Sequence, residues 1–239
     1  MKLDNATVLI TGANRGIGLA FAREALARGA RKVYAAARDP ASVTLAGVEA
    51  IRLDVTDPDQ VTEAAKRCGD ATLLINNAGI ANPGGFLAPG SIDSAHAQLE
   101  TNFFGPLRLA QAFAPVLASH GGGAIVNVLS VASWISSPQL AVYGATKAAA
   151  WSMTNGLRHE LRGQGTQVLG MHVGFVDTDL TRGFDVPKSS PDAVVRRVLD
   201  ALEAGAQEVL ADEITQQVKQ GLSAEPGVYL QPPPASRSL

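Results

Sequence analysis

Tyr143 and Lys147 stand four residues apart, a spacing that in a helix sets both side chains on one face. A phenol with a reference pKa near 10 exchanges protons poorly at neutral pH, and lowering it by about two to three units takes roughly 3 to 4 kcal/mol of differential stabilisation. A cation one turn away supplies part of that. Ser130 lies thirteen positions before Tyr143, at the end of the apolar run from Ala124 to Leu129. The carboxyl end of such a strand, in an open α/β sheet, is where ligands are met. A hydroxyl, a phenol and an ammonium brought together there have the chemistry of proton exchange with a substrate oxygen.

Strands and helices alternate along the whole chain to position these groups. The pattern predicts a strand over Ala6 to Thr11, a turn carrying Gly12, Gly16 and Gly18, and a helix from about Ile17 to Arg28 that stops at Gly29. A strand, a glycine turn and a helix N-terminus form a phosphate cradle, because free backbone N–H groups and the positive helix end face the anion. The spacing is Gly-x3-Gly-x-Gly, not the commoner Gly-x-Gly-x-x-Gly. A second strand, Lys32 to Ala37, ends at Arg38-Asp39-Pro40. At that tip an acid receives the ribose 2′-hydroxyl of NAD and an Arg accommodates the 2′-phosphate of NADP. Small Ala37 followed by Arg38 suits the phosphate, with Arg15 closing from the other side, so NADP is favoured; Asp39 is the competing acid, one position late.

A third strand, Val48 to Leu53, is stopped by Asp54-Val55-Thr56-Asp57-Pro58, and Thr56 or Asp57 caps a helix to about Arg67. Asp54 is either a turn acid or a wall of the adenine pocket. A fourth, Thr72 to Ile75, leads into Asn76-Asn77-Ala78-Gly79. Residues 91–119 read as a helix interrupted at Pro106 and Pro115, either kinked or two abutting pieces, with Asn102 at an unfavourable interior position where a bend could free a carbonyl and seat a water. A helix carrying Tyr143 runs from near Gln139 to Leu161. The strand Gln167 to Val173 precedes a glycine and hydroxyl-bearing loop, Gly174 to Leu180, suited to holding a carboxamide. Residues 181–187, with Phe184, form a candidate lid, followed by a helix (191–203), a short strand (208–211) and a last helix (212–220). The Pro-rich tail, 224–239, is expected to lack regular structure.

Composition bounds the function. With 239 residues, 46% hydrophobic and 18% charged, the chain suits one globular domain over 1–239. A net charge of −2 gives no footprint for nucleic acid or an anionic membrane. No run approaches the roughly 18 apolar residues of a membrane span, no signal-peptide pattern opens the chain, and Cys68 stands alone, so a cytoplasmic protein is expected. His96, His120, His159 and His172 are scattered without ligand spacing, which argues against a metal centre. No Gly-x-Ser-x-Gly turn surrounds Ser130, which argues against a serine hydrolase.

Taken together, Thr11-Gly12-x3-Gly16-x-Gly18, Asn76-Asn77-Ala78-Gly79, Asn102, Ser130 and Tyr143-x3-Lys147 resemble the short-chain dehydrogenase/reductases, in their short, single-domain branch, over about residues 4 to 215. The resemblance implies a doubly wound, Rossmann-type α/β fold with seven parallel strands flanked by helices. It implies hydride transfer between a nicotinamide and a carbonyl or alcohol carbon. It makes Tyr143 the general acid, Lys147 the group that lowers its pKa and bonds the nicotinamide ribose, Ser130 the holder of the substrate oxygen, and Asn102 the residue positioning a water that links Lys147 to solvent. Gly12, Asn14, Arg15, Gly16, Ile17, Gly18, Asp54, Val55, Asn77, Ala78, Gly79, Val176 and Thr178 would line the cofactor, with Arg38 on the 2′-phosphate. The family usually has Pro-Gly where this chain has Val173-Gly174, which bears on the backbone path near the nicotinamide. Three readings follow: an NADPH-dependent reductase of ketones or aldehydes, an NAD-dependent alcohol dehydrogenase, and a non-catalytic NADP(H)-binding regulatory protein. Trp134, Ile135, Gln139, Leu140, Phe175 and Phe184 flank the expected pocket and point to an apolar carbonyl substrate. The resemblance also implies a homodimer or homotetramer.

Overall fold

The computed structural model describes residues 1–231. The elements are β1 (Thr7–Thr11), α1 (Gly16–Ala27), β2 (Lys32–Ala37), β3 (Glu49–Arg52), α2 (Pro58–Arg67), β4 (Leu73–Asn76), α3 (Ser91–Leu99), α4 (Gly105–Ser119), β5 (Ala124–Val128), α5 (Ala141–Glu160), β6 (Gln167–His172), α6 (Pro191–Glu203), β7 (Glu208–Leu210) and α7 (Glu213–Gly221). All seven strands join one parallel sheet in the order β3-β2-β1-β4-β5-β6-β7. Strands such as β1 (TVLIT) and β4 (LLIN) are buried along their whole length, as expected of a parallel sheet covered on both faces. One core joins Val8, Ile10 and Leu73 to Phe21 of α1 and to Val195 and Leu199 of α6. The other joins Leu9, Leu74 and Ile125 to Leu109, Phe113 and Leu157 from α4 and α5. Chain order reverses between β1 and β4, so the sheet has its switch point, and its natural ligand crevice, at the carboxyl ends of those two strands.

The expected 91–119 helix is two helices joined through a π turn, Glu100–Phe104, that contains Asn102. The Gly105 N–H bonds back to Glu100 O, a five-residue step, so the helix carries one extra residue here. Pro106 follows the π turn directly, as the second residue of α4, where the extra residue of the bulge accommodates its ring, and Pro115 is tolerated inside that helix.

The Pro-rich tail differs from expectation. Val228–Leu230 form a 3₁₀ turn, and Val228 packs so close to Gly221 that a β-carbon there would lie 3.0 Å from it. The remainder, residues 232–239, lies outside the described residues. Among the described residues no helix is long and apolar enough to cross a membrane.

Candidate active site

A cleft of about 1650 Å³ runs along the carboxyl ends of the strands. Ligand pockets for one small molecule are typically 300–1,000 Å³, so this one has room for a dinucleotide together with a second molecule. Gly12, Asn14, Arg15, Gly16, Ile17, Arg38, Asp54, Val55, Asn77, Ala78, Gly79, Ser130, Tyr143, Lys147, Val176 and Thr178 all line it. Two residues expected at the site do not. Gly18 lies behind the cleft wall, where a β-carbon would fall 2.2 Å from Gly12 O and 2.6 Å from Asn77 Nδ2; it lets α1 approach the glycine turn and the Asn77 side chain. Asn102 is fully buried behind Gly79 and Ile80.

At the phosphate end, α1 starts without a side-chain cap and without an acid in its first turn. A helix N-terminus left this way offers N–H groups and positive potential to an anion. Gly16 has φ +55°, which opens the turn in a way other residues resist. Arg38 is exposed at the tip of β2 and, among the described residues, forms no ion pair. Asp39, the competing acid, also lines the cleft, and its carboxylate accepts the Ala41 N–H at 3.0 Å and caps the 3₁₀ turn Pro40–Ser42. Arg15, expected over the same phosphate, instead donates to Asp179 at 2.9 Å, because the loop after β6 brings that acid across the cleft mouth, where Arg182 also reaches it. Asp54 is a turn acid as well as a wall, accepting from the N–H and Oγ1 of Thr56. These residues fit a phosphate-bearing dinucleotide, with room for a 2′-phosphate on Arg38.

Asn77 seals the glycine turn, its amide donating to Thr11 O at 2.8 Å and Gly12 O at 3.1 Å. Asn76 does not face the cleft; it is buried in the sheet and donates to Asn127 Oδ1 at 2.8 Å, and Asn127 in turn donates to Thr154.

The chemical end is built by β5 and α5. Ser130 leaves β5 with extended backbone and its Oγ accepts the Ala132 N–H at 3.1 Å, capping the turn Val131–Ser133. The Ser130 hydroxyl lies near enough to the Tyr143 phenol to affect its proton affinity. Burial raises the phenol from 10 to about 12, and the Ser130 hydroxyl opposes this. Lys147, one turn on, is buried and held down to about 8 by the loss of water around its ammonium. The expected depression of Tyr143 by Lys147 is therefore not seen: burial and the Ser130 hydroxyl set the phenol. Lys147 Nζ donates to Val128 O at 2.8 Å and sits 5.8 Å from the Tyr143 ring centre, so burial governs the phenol.

Asn102 braces this end from behind. Its Oδ1 accepts the Ile80 N–H, and its Nδ2 donates to Ile80 O and to Thr146 Oγ1, all between 2.9 and 3.0 Å. Thr146 passes the link on to Tyr143 O at 2.8 Å. A β-carbon on Gly79 would meet Asn102 Oδ1 at 3.2 Å and Lys147 Nζ at 3.8 Å, so a side chain there would press on both.

On the far side Ile135, Gln139, Leu140, Phe175 and Phe184 line the cleft as expected, and Phe184 packs at 5.2 Å on Phe175. Trp134 does not: it is turned inward and stacks on His172 at 3.8 Å. Val173, in place of the usual Pro, lines the cleft and accepts the Val131 N–H at 2.9 Å, while Gly174 is held by Asp212 Oδ2 at 2.6 Å. Sequence reading missed Ile214, Gln217 and Val218 of α7 and Val228, Tyr229 and Gln231 of the tail, which close the cleft. The amphipathic face of α7 was visible in sequence, but nothing local told which cavity it would cover.

A profile of the short chain dehydrogenases matches residues 6–187. The chain is 32% identical over 204 residues to 1-deoxy-11-beta-hydroxypentalenate dehydrogenase of Streptomyces avermitilis, covering 80% of this chain and 76% of that protein. A short chain dehydrogenase of Burkholderia cenocepacia, solved in complex with NADP, superposes with a TM-score of 0.91 at 39% identity, covering 95% of this chain and 96% of that one. The bulky-bulky ketone specific alcohol dehydrogenase of Comamonas testosteroni gives a TM-score of 0.76 at 26% identity, covering 91% and 93%.

Proposed function

This chain belongs to the short-chain dehydrogenase/reductase family, and from that premise we propose that it uses NADPH to reduce a ketone or aldehyde carbonyl to the alcohol. The carrying observation is the convergence of Ser130, Tyr143 and Lys147 at one end of a cleft whose other end presents an uncapped helix and an unpaired Arg38. Gly12, Asn14 and Ile17 would hold the pyrophosphate end, Arg38 the 2′-phosphate, and Asn77, Gly79, Val176 and Thr178 the nicotinamide half. The reduced nicotinamide, when bound, supplies the hydride.

The chain's own groups account for the proton. Ser130 and Tyr143 both line the cleft, and a carbonyl oxygen bound between them could accept from both hydroxyls. With a value near 12 in the free protein, Tyr143 is fully protonated at neutral pH, the state a general acid for reduction requires. An alkoxide is a stronger base than a phenolate, so transfer from Tyr143 to the developing oxyanion runs downhill. Lys147, near 8, is still mostly an ammonium at neutral pH; beside the phenolate it would stabilise the new charge and could return the proton. Asn102 would act through position, holding Ile80 and Thr146 and through them Tyr143.

The substrate half favours a neutral, apolar carbonyl. Of the basic residues lining the cleft, Arg38 and Lys147 belong to the cofactor and proton sites and Arg15 is paired with Asp179, while Phe175, Phe184, Leu180, Val186 and Ile214 give the substrate half an apolar wall. The specificity of the Comamonas enzyme for bulky-bulky ketones agrees with this reading. Purified protein mixed with NADPH and a panel of apolar ketones and aldehydes is expected to lose nicotinamide absorbance with formation of the alcohol. No oxidation with any of them would defeat the reading, and faster turnover with NADH would defeat its cofactor half.

A further inference from the structure

The mechanism above uses the hydroxyl of Ser130 but leaves open what fixes the backbone that carries it. Ser130 lies past the end of β5, and its carbonyl oxygen faces Nδ1 of His172 at 3.2 Å. A carbonyl only accepts, so Nδ1 carries the proton of that bond. His172 is the last residue of β6, is fully buried, and is held on several sides. Trp134 stacks on its ring at 3.8 Å with an interplanar angle of 21°, and Trp151 meets it edge-on at 6.4 Å. Its Nε2 lies 3.5 Å from Glu208 Oε1 on β7 and, among the described residues, makes no hydrogen bond. Glu208 is gripped in turn by Lys219 of α7 at 2.9 Å, and the same ammonium lies 4.8 Å from the Trp134 ring centre. Trp134 directly follows the turn that Ser130 caps, so His172 holds both ends of the segment from Ser130 to Trp134: one by a hydrogen bond, the other by stacking.

We propose that His172 is a positioning residue for the reaction, whose Nδ1–H bond to the Ser130 carbonyl fixes the direction of the Ser130 hydroxyl toward Tyr143, with the Trp134 stack holding the imidazole in place. The kinetic part of this rests on the carbonyl-reductase reading above; the part concerning the Ser130 backbone does not.

Two variants separate the bond from the packing. His172→Phe keeps a flat ring against Trp134 and removes the donor, whereas His172→Asn removes the ring and keeps a donor near the Nδ1 position. Amide hydrogen exchange of the peptide spanning Ser130 to Trp134 should quicken about tenfold in His172→Phe, the scale of one lost hydrogen bond, and stay closer to wild type in His172→Asn. With NADPH and a reacting ketone, kcat should fall about tenfold in His172→Phe at unchanged NADPH affinity, and His172→Asn should recover most of that loss. Unchanged exchange in His172→Phe overturns the proposal, as does a parallel loss of kcat and thermal stability in both variants, which would make His172 a packing residue only. A wild-type protein that turns over no carbonyl, yet shows the contrast in exchange, would sink the reductase reading and leave His172 as the holder of Ser130.

Discussion

Lys147 donates from Nζ to the carbonyl oxygen of Val128 at 2.8 Å, with its ammonium buried and, among the described residues, no carboxylate paired with it. The cost of burying that charge makes stability depend on pH in a defined direction. The unfolded value is 10.5 and the folded value about 8. Below pH 8 both states hold the proton and this group contributes no slope. Between pH 8 and 10.5 the unfolded chain still binds a proton that the folded protein has released, so stability rises with pH, by on the order of 3 kcal/mol over the whole window. Tyr143, raised from 10 to about 12, acts oppositely at higher pH: the unfolded chain loses its proton first, and stability falls. Lys147→Met lacks only the first effect. The urea-unfolding free energy of wild type minus that of Lys147→Met should therefore climb from neutral pH to pH 10, and a flat difference would show that Lys147 is not buried as a cation.

Removing the Tyr143 hydroxyl tests the proton donor. Tyr143→Phe keeps the ring and its packing and leaves the Lys147 bond to Val128 intact. Turnover of a ketone is expected to drop by about 10²- to 10⁴-fold, the usual contribution of a placed general acid, while the NADPH dissociation constant moves by less than about threefold. Measuring both separates this from a folding defect. Retained turnover would remove Tyr143 from the chemistry.

Arg38→Leu addresses cofactor choice. A charge-assisted bond to a phosphate is worth about 1.5–3 kcal/mol, so the kcat/KM ratio of NADPH to NADH should fall by about 10- to 100-fold, with NADH itself hardly affected. Equal losses for both nucleotides would place the 2′-phosphate elsewhere, with Arg15 the next candidate once it leaves Asp179.

What could be read in the sequence follows from how local each signal is. The alternation of apolar strands and helices, the glycine turn and the Tyr143-x3-Lys147 pair are encoded within a few residues, and the structure has each at the expected place. The Arg15–Asp179 bridge joins residues far apart in sequence, and so does the stacking of Trp134 on His172; no local pattern reveals such pairings. Gly18 illustrates a subtler limit. Its spacing marked it as part of the cradle, but its need is for closeness to Gly12 O, on the side away from the ligand. The tail was read by composition alone, and proline content did not foresee that Val228 and Tyr229 would reach the cleft.

Asn102 was legible as an anomaly, an amide inside a helical pattern, and the structure supplies the reason. Its buried side chain satisfies both backbone groups of half-buried Ile80 and the buried Thr146 hydroxyl, and the π turn carries it there. Replacing it by leucine would leave the Ile80 N–H and carbonyl and one Thr146 lone pair without partners. A fully buried orphan costs about 1–3 kcal/mol, and the two Ile80 groups are only part-buried and can recover water, so Asn102→Leu should lose about 2–5 kcal/mol in urea unfolding. Asn102→Asp keeps an acceptor for the Ile80 N–H but loses both donors and puts a carboxylate against the Ile80 carbonyl, so it should fare no better. Because Thr146 links Asn102 to the Tyr143 backbone and Gly79 touches the Asn102 side chain, kcat should fall as well as stability. A variant with wild-type stability and reduced kcat would instead give Asn102 a part in proton transfer itself, and one unchanged in both would mean that the π turn orders Ile80 without it.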